Sequence, residues 1–317
     1  MVRFQRAFMT YFSMENGRFA GNSKALAISH LFTGDKPLIY GLFSGVGQPL
    51  AALSDGIELR TAILVVESLT LSAVDWMEPM YELMTHPELA RPSRGFLSPG
   101  DIIGRVAHDG RFSGVMKGGP GFQGVPNVFA SPNAKAALVE YVGLLDCRNL
   151  TVLLQQLSAL SVVMSCATHK PGQPAFDYYL GHLPTCINST RIILDNLVED
   201  GDHRILVVRG VWLLMLLTYI TQLRPVMDEK LLVAKDLADE ENGWETMYEV
   251  FRGEVVVEGK LRDLEFLRAL RSLWELSRVC RGVHGNLYFH AAWKLVSEWT
   301  AWAGRGVGRE AMLNIRL

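Results

Sequence analysis

Residues 205–220 read ILVVRGVWLLMLLTYI, an apolar run interrupted by a single charged side chain, Arg209. A segment apolar on every side belongs either to a helix enclosed by protein or to a membrane span. This one is shorter than the roughly 20 residues that cross a bilayer, and a guanidinium at its heart is costly in lipid. The reading is a central buried helix with other helices packed around it. Arg209 must then be paired or directed into a cavity, because arginine is rarely buried alone.

Upstream, the run closes a longer stretch, residues 168–209, whose first half sets His169, Asp177, Tyr178, Tyr179, His182, Cys186 and Asn188 in a turn-rich segment entering a helix. Polar groups where apolar ones would be cheaper mark the place to look for function. Tyr178 and His182 are four residues apart, so on a helix they share one face and can address one ligand atom. Taken singly, each has an ordinary reading: His182 as a hydrogen-bonded core histidine, Arg209 as half of a structural ion pair.

The flanking sequence extends the helical reading in both directions. Residues 1–34 predict a helix, a polar turn and a shorter helix stopped at Gly34; Pro49 opens one helical pattern running to Trp76. Residues 85–130 are rich in proline and glycine and predict a connecting region or lid. Within them, GGPGFQG is a poor phosphate cradle, since no strand precedes it and Pro120 removes a backbone donor. Ser131-Pro132 is an N-cap followed by proline at the first helical position, and residues 149–168 form another core pattern. Helices are also expected over 231–250 and 260–279. The second of these carries Leu261, Leu264, Leu267, Leu270 and Trp274 on its apolar face. Trp293, Trp299 and Trp302 belong to a last packed helix. No alternating strand pattern or βαβ rhythm is present, so the fold class is all-α: a single irregular multi-helix domain over 1–317 without repeats.

Composition narrows the function classes. With 317 residues and 49% apolar content the chain builds a sizeable core. A formal net charge of −2 leaves no electrostatic footprint for nucleic acid or an anionic membrane. Cys147, Cys166, Cys186 and Cys280 lack paired metal or redox spacing and read as reduced thiols; the N-terminus lacks a signal-like apolar region. These features place the chain in the cytoplasm, without membrane insertion and with homo-oligomerisation left open. There is no GxGxxG fingerprint, P-loop or nucleophile elbow to name a reaction.

In order along the chain, LFSGVGQPLAALSDGIEL (42–59), HDGRFSGV (108–115), CATHKPGQPAFDYYLGHLPTCINS (166–189), RILVVRGVWLLMLLTYITQLRP (204–225), WETMYEVF (244–251) and FLRALRSLWELSRVC (266–280) resemble the questin oxidase-like family. That family belongs to fungal and bacterial secondary metabolism and acts on aromatic polyketides. The resemblance implies histidine-rich, oxygen-activating metal enzymes. It places family histidines at Gln48, Ala52 and Asp75, a family lysine at Arg209, and a histidine-rich helix ahead of Met1; His182 alone keeps the family residue. Ala52 offers no donor atom and Arg209 is a permanent cation, so by this alignment the metal site is dismantled.

The expectation is thus a cofactor-free enzyme that cyclises or rearranges a hydrophobic polycyclic polyketide or terpenoid intermediate, Diels–Alder cycloaddition included. His182 and Arg209 would act as donors, Tyr178 as a further hydrogen-bonding group, and Asp75 or Asp177 as an orienting carboxylate. Gln48, Ala52, Trp212, Met215 and Tyr219 would contact the substrate. Two alternatives stand beside it. One is a Baeyer–Villiger-type or ring-cleaving oxygenase holding iron through His169, His182, His203 and His290. The other is an inactive paralogue that binds a pathway partner.

Overall fold

The computed structural model describes residues 2–90, 96–170, 172–173, 175–232, 243–245, 247, 263–280 and 286–304. The helix expected over 231–250 falls largely outside these residues, as does the start of the one expected from residue 260. The rest is all-α, and Cα packing divides it into two units. The first comprises Met1–Val115, Pro126–Leu154 and Ser189–Leu217; the second comprises Met116–Val125, Gln155–Asn188 and Thr218–Leu317.

The first unit begins with α1 (Val2–Arg18), α2 (Ser23–Phe32) and the short α3 (Ile39–Leu42). The single helix expected from Pro49 to Trp76 is in fact a hairpin of α4 (Gln48–Glu58) and α5 (Ala62–Val74). The chain reverses through Arg60, at φ 51°, and the Thr61 N–H returns to the Gly56 carbonyl at 3.0 Å. Gly56 permits the close approach, because a β-carbon there would stand 2.9 Å from the Val65 nitrogen. Periodicity persists across such a turn, so the apolar spacing alone conceals it.

α6 (Glu78–Met84) and α7 (Pro99–His108) follow. The second lies inside the segment expected to be loose, and it forms because Ser98 caps it by accepting from the Asp101 N–H. After α8 (Val125–Ala130), α9 (Pro132–Gly143) starts at the expected cap, with Ser131 accepting from the Ala134 N–H. α10 (Leu150–Cys166) lies inside the expected 149–168.

The second unit holds a feature absent from the periodicity. Phe176-Asp177 and Trp302-Ala303 pair as two-residue parallel strands, β1 and β2. Strands this short have no room to alternate. Directly after β1 come α11 (Tyr178–Gly181), then α12 (Leu183–Asn196) and the central α13 (Gly201–Thr221). Most of the apolar window of α13 is buried inside the protein, although by length and hydropathy alone it meets the test for a membrane span. α14 (Leu264–Val279) and α15 (Leu287–Glu298) pack on each other. The boundary between the units falls within α10, α12 and α13.

α14 corrects a sequence expectation. Its buried face carries Glu265, Phe266, Ala269, Ser272, Leu273 and Leu276, whereas Leu264 and Trp274 are exposed. The leucine stripe is therefore rotated away from the core, and Trp274 instead lies under the Arg278 guanidinium at 4.8 Å. The N-terminus sets this orientation. Asp263 accepts from the Glu265 and Phe266 N–H groups and, at 3.0 Å, from Trp302 Nε1.

Candidate functional site

In the second unit, Trp302 brings two distant helix starts together. Its ring covers Gly181, where any β-carbon would overlap it, while its Nε1–H holds Asp263. His182 follows Gly181 and Glu265 follows Asp263 by two residues, so one tryptophan fixes both neighbourhoods. His182 Nε2 lies 2.9 Å from Glu265 Oε2, and the two side chains are 4% and 9% exposed. Arg268 Nη1, one turn along α14, reaches Glu265 Oε1 at 3.3 Å. Thr185 and Ser272 link the same two helices through their hydroxyls at 3.3 Å.

A carboxylate accepting from Nε2–H fixes the tautomer of a neutral imidazole with its basic lone pair on Nδ1, and it stabilises the cation once a proton arrives. Arg268 in turn balances the charge on Glu265. Tyr178 stands with its ring centroid 4.8 Å from that of His182, as the four-residue spacing required. Asp177 caps α11, accepting from the Leu180 N–H at 2.8 Å. Burial pushes its carboxyl up to about 6, against the opposing backbone bonds from Leu180 and Tyr179. Cys186, one turn beyond His182, is no nucleophile: burial, reinforced by the Glu265 charge, pushes its thiol up to about 12.

Glu265 and Arg268 lie off the leucine stripe that the sequence reads as the apolar face, so the spacing alone does not single them out. The signal that finds them is the competing stripe Phe266, Ala269, Leu273 and Leu276, which puts Glu265 at its inner edge.

A second cluster in this unit surrounds His169, which is stacked on Phe176 with centroids 3.7 Å apart. His169 Nε2 and Lys294 Nζ lie 3.5 and 3.6 Å from Glu298 Oε2. Burial, then the Lys294 charge, drive His169 down to about 4, so it is neutral near pH 7; a backbone bond with Ala175 opposes them. Tyr219, placed by sequence on the substrate wall, is buried with its hydroxyl on the Pro225 carbonyl at 3.3 Å.

The remaining residues singled out by sequence belong to the first unit. Gln48 opens α4 and Ala52 is buried one turn later. The turn before them, Gly45-Val46-Gly47, has φ values of 54°, 62° and 79°, a left-handed conformation that a β-branched valine seldom adopts. Asp75 ends α5 against this turn, with Oδ2 2.9 Å from where a β-carbon on Gly45 would sit; burial raises its pKa. Ser44 and Ser72 nearby have buried hydroxyls without a partner. Arg209 projects from α13, its Nη1 on the Leu89 carbonyl at 3.0 Å and the Cys147 thiol beside it. Trp212 is wholly buried, donating from Nε1 to the Tyr141 carbonyl at 3.2 Å, and Met215 is wholly buried too.

The donor set among the described residues does not fit a metal centre. Among the described residues no three His, Cys, Asp or Glu side chains converge. His182 is engaged by Glu265 and His169 faces Glu298, while His203 stacks on Phe32 at 4.4 Å in the other unit. His290 lies on α15, where its ring meets Phe289. The sequence model of the family described as Questin oxidase-like matches residues 2–273. No curated protein matches the chain.

Proposed function

The chain belongs to the questin oxidase-like family, which implies a secondary-metabolite enzyme, and from that premise we propose acid–base catalysis as its chemistry. The substrate is an apolar polyketide or terpenoid intermediate bearing a carbonyl, and the reaction is a metal-free cyclisation or rearrangement. The observation that carries this reading is the buried His182–Glu265 contact at 2.9 Å, backed by Arg268.

In this reading His182 takes a proton from carbon or oxygen of the substrate, and Glu265 stabilises the imidazolium that results. The proton then returns to another atom of the same molecule. Asp177, held near 6 by burial, is suited to the complementary transfer because both of its protonation states are populated near neutral pH. Tyr178, whose ring lies 4.8 Å from that of His182, supplies a hydroxyl to polarise a carbonyl oxygen in this reading. Holding an apolar substrate in a reactive conformer contributes further, up to about 7–11 kcal/mol in favourable cases.

The family description favours a second reading, oxygen-dependent oxidation of the same substrate class. Incubation with a panel of aromatic polyketide and terpenoid intermediates under labelled dioxygen separates the two. Isomeric products of unchanged mass are expected; incorporation of the label would overturn acid–base cyclisation. In Glu265→Gln the rate is expected to fall about 10²–10⁴-fold, the range of general acid–base catalysis. A rate equal to that of the wild type would remove His182 and Glu265 from the chemistry.

A further inference from the structure

Arg209 is the one charge in the apolar run of α13, and no carboxylate among the described residues pairs with it. Its charged neighbours in the first unit are differently placed. Arg111 is held by Asp109 and Glu140, both at 2.7 Å. Arg148 takes both oxygens of Asp146, the carboxylate next in sequence to Cys147. Arg204 has no acid either, but it satisfies two carbonyls, those of Leu194 and Val198, at the end of α12. Arg209 has one carbonyl, that of Leu89, and its Nε is packed away from solvent without an acceptor.

A half-buried guanidinium retained in apolar surroundings with only neutral acceptors, the Leu89 carbonyl and the Cys147 sulfur, is short of a negative charge. The Cys147 thiol beside it does not supply that charge, because burial raises its pKa further than the Arg209 cation lowers it. A single guanidinium among apolar side chains is neutralised by a monoanion; a phosphate dianion would need further cations. We propose that Arg209, with Leu89 and Cys147 around it, is a binding subsite for an organic monoanion, the carboxylate or ionised phenol of a largely apolar ligand. The guanidinium N–H groups not used by Leu89 and Cys147 donate to the ligand oxygens, as planar oxyanions accept from arginine. This subsite stands on the first unit alone and does not depend on the acid–base pair of the second.

The test is isothermal titration of the whole 317-residue chain at pH 7.5 with 1-naphthoate and with 1-naphthamide, an uncharged molecule of nearly the same shape. The carboxylate is expected to bind at least roughly tenfold more tightly, the preference a charge-assisted bond confers. That preference is expected to vanish in Arg209→Met and to survive in part in Arg209→Lys, which keeps the charge but loses the planar fork. Ionised 2,4-dinitrophenol serves as the phenolate probe: preferential binding of it over 1-naphthoate identifies the ionised phenol as the favoured ligand group. Equal binding of naphthoate and naphthamide by the wild type overturns the proposal without recourse to any variant. So does a preference unchanged in Arg209→Met. Loss of turnover in Glu265→Gln with the naphthoate preference intact is expected if both readings hold, so each fails separately.

Discussion

Acid stability of the second unit is predicted to rest on His169. Its side chain is 3% exposed, lies flat on Phe176, and faces Lys294 across Glu298. Burial first, and the Lys294 charge second, hold it at about 4, against about 6.5 in an unfolded chain. The native state therefore refuses a proton that the unfolded state accepts between those values. Stability is fully present above pH 6.5 and is lost as the pH falls through 4. At about 1.4 kcal/mol per pH unit, the loss from this group is on the order of 2–3 kcal/mol by pH 4.5.

Asp177 acts in the opposite sense. Its carboxyl is raised to about 6, so its contribution is present below about pH 4 and is lost as the pH rises through 6. The two groups offset each other in the same window, and the wild type is expected to show a shallow profile there. Urea unfolding followed by tryptophan fluorescence at pH 7.5, 6.5, 5.5 and 4.5 separates them, each protein being compared with itself at pH 7.5. His169→Gln is expected to lose about 2–3 kcal/mol less than the wild type on going to pH 4.5, and Asp177→Asn to lose more. Superimposable profiles for wild type and His169→Gln would refute the assignment of a buried neutral histidine.

Two further predictions follow from packing. Gly210→Ala drives a methyl group into the Phe43 ring, which lies against α13 at that position, and is expected to cost about 1–3 kcal/mol in chemical denaturation; an unchanged midpoint would mean that the ring moves freely. Asp263→Ala removes both the cap of α14 and the acceptor of Trp302 Nε1, with an expected loss of about 1–2 kcal/mol. Asp263→Asn, which keeps an acceptor oxygen, should recover most of that, and recovery by neither variant nor loss in the first would dismiss the capping role.

What the sequence discloses depends on how local the cause is. The cap at Ser131, the proline that follows it and the apolar run of α13 are each complete within a few turns, and each is where the sequence places it. The reversal at Arg60 is hidden because α4 and α5 keep the same apolar rhythm on either side of it. The inner face of α14 is decided by Asp263 and Trp302, and the second of these lies far along the chain. The site divides in the same way. The proximity of Tyr178 and His182 follows from a four-residue spacing, whereas the partner of His182 comes from a helix whose orientation no local pattern announces.

The pairing of Phe176 with Trp302 carries a consequence for how the protein is made. A parallel contact between residues so distant in sequence is slow to close, because the intervening chain must be ordered before the contact gains anything. During synthesis, Gly181 and His182 leave the ribosome long before the tryptophan that covers them. Until Trp302 arrives, Gly181 is uncovered and Asp263, at the start of α14, lacks its Nε1–H donor. The His182–Glu265 contact of the second unit is therefore expected to form late, once Trp302 is in place.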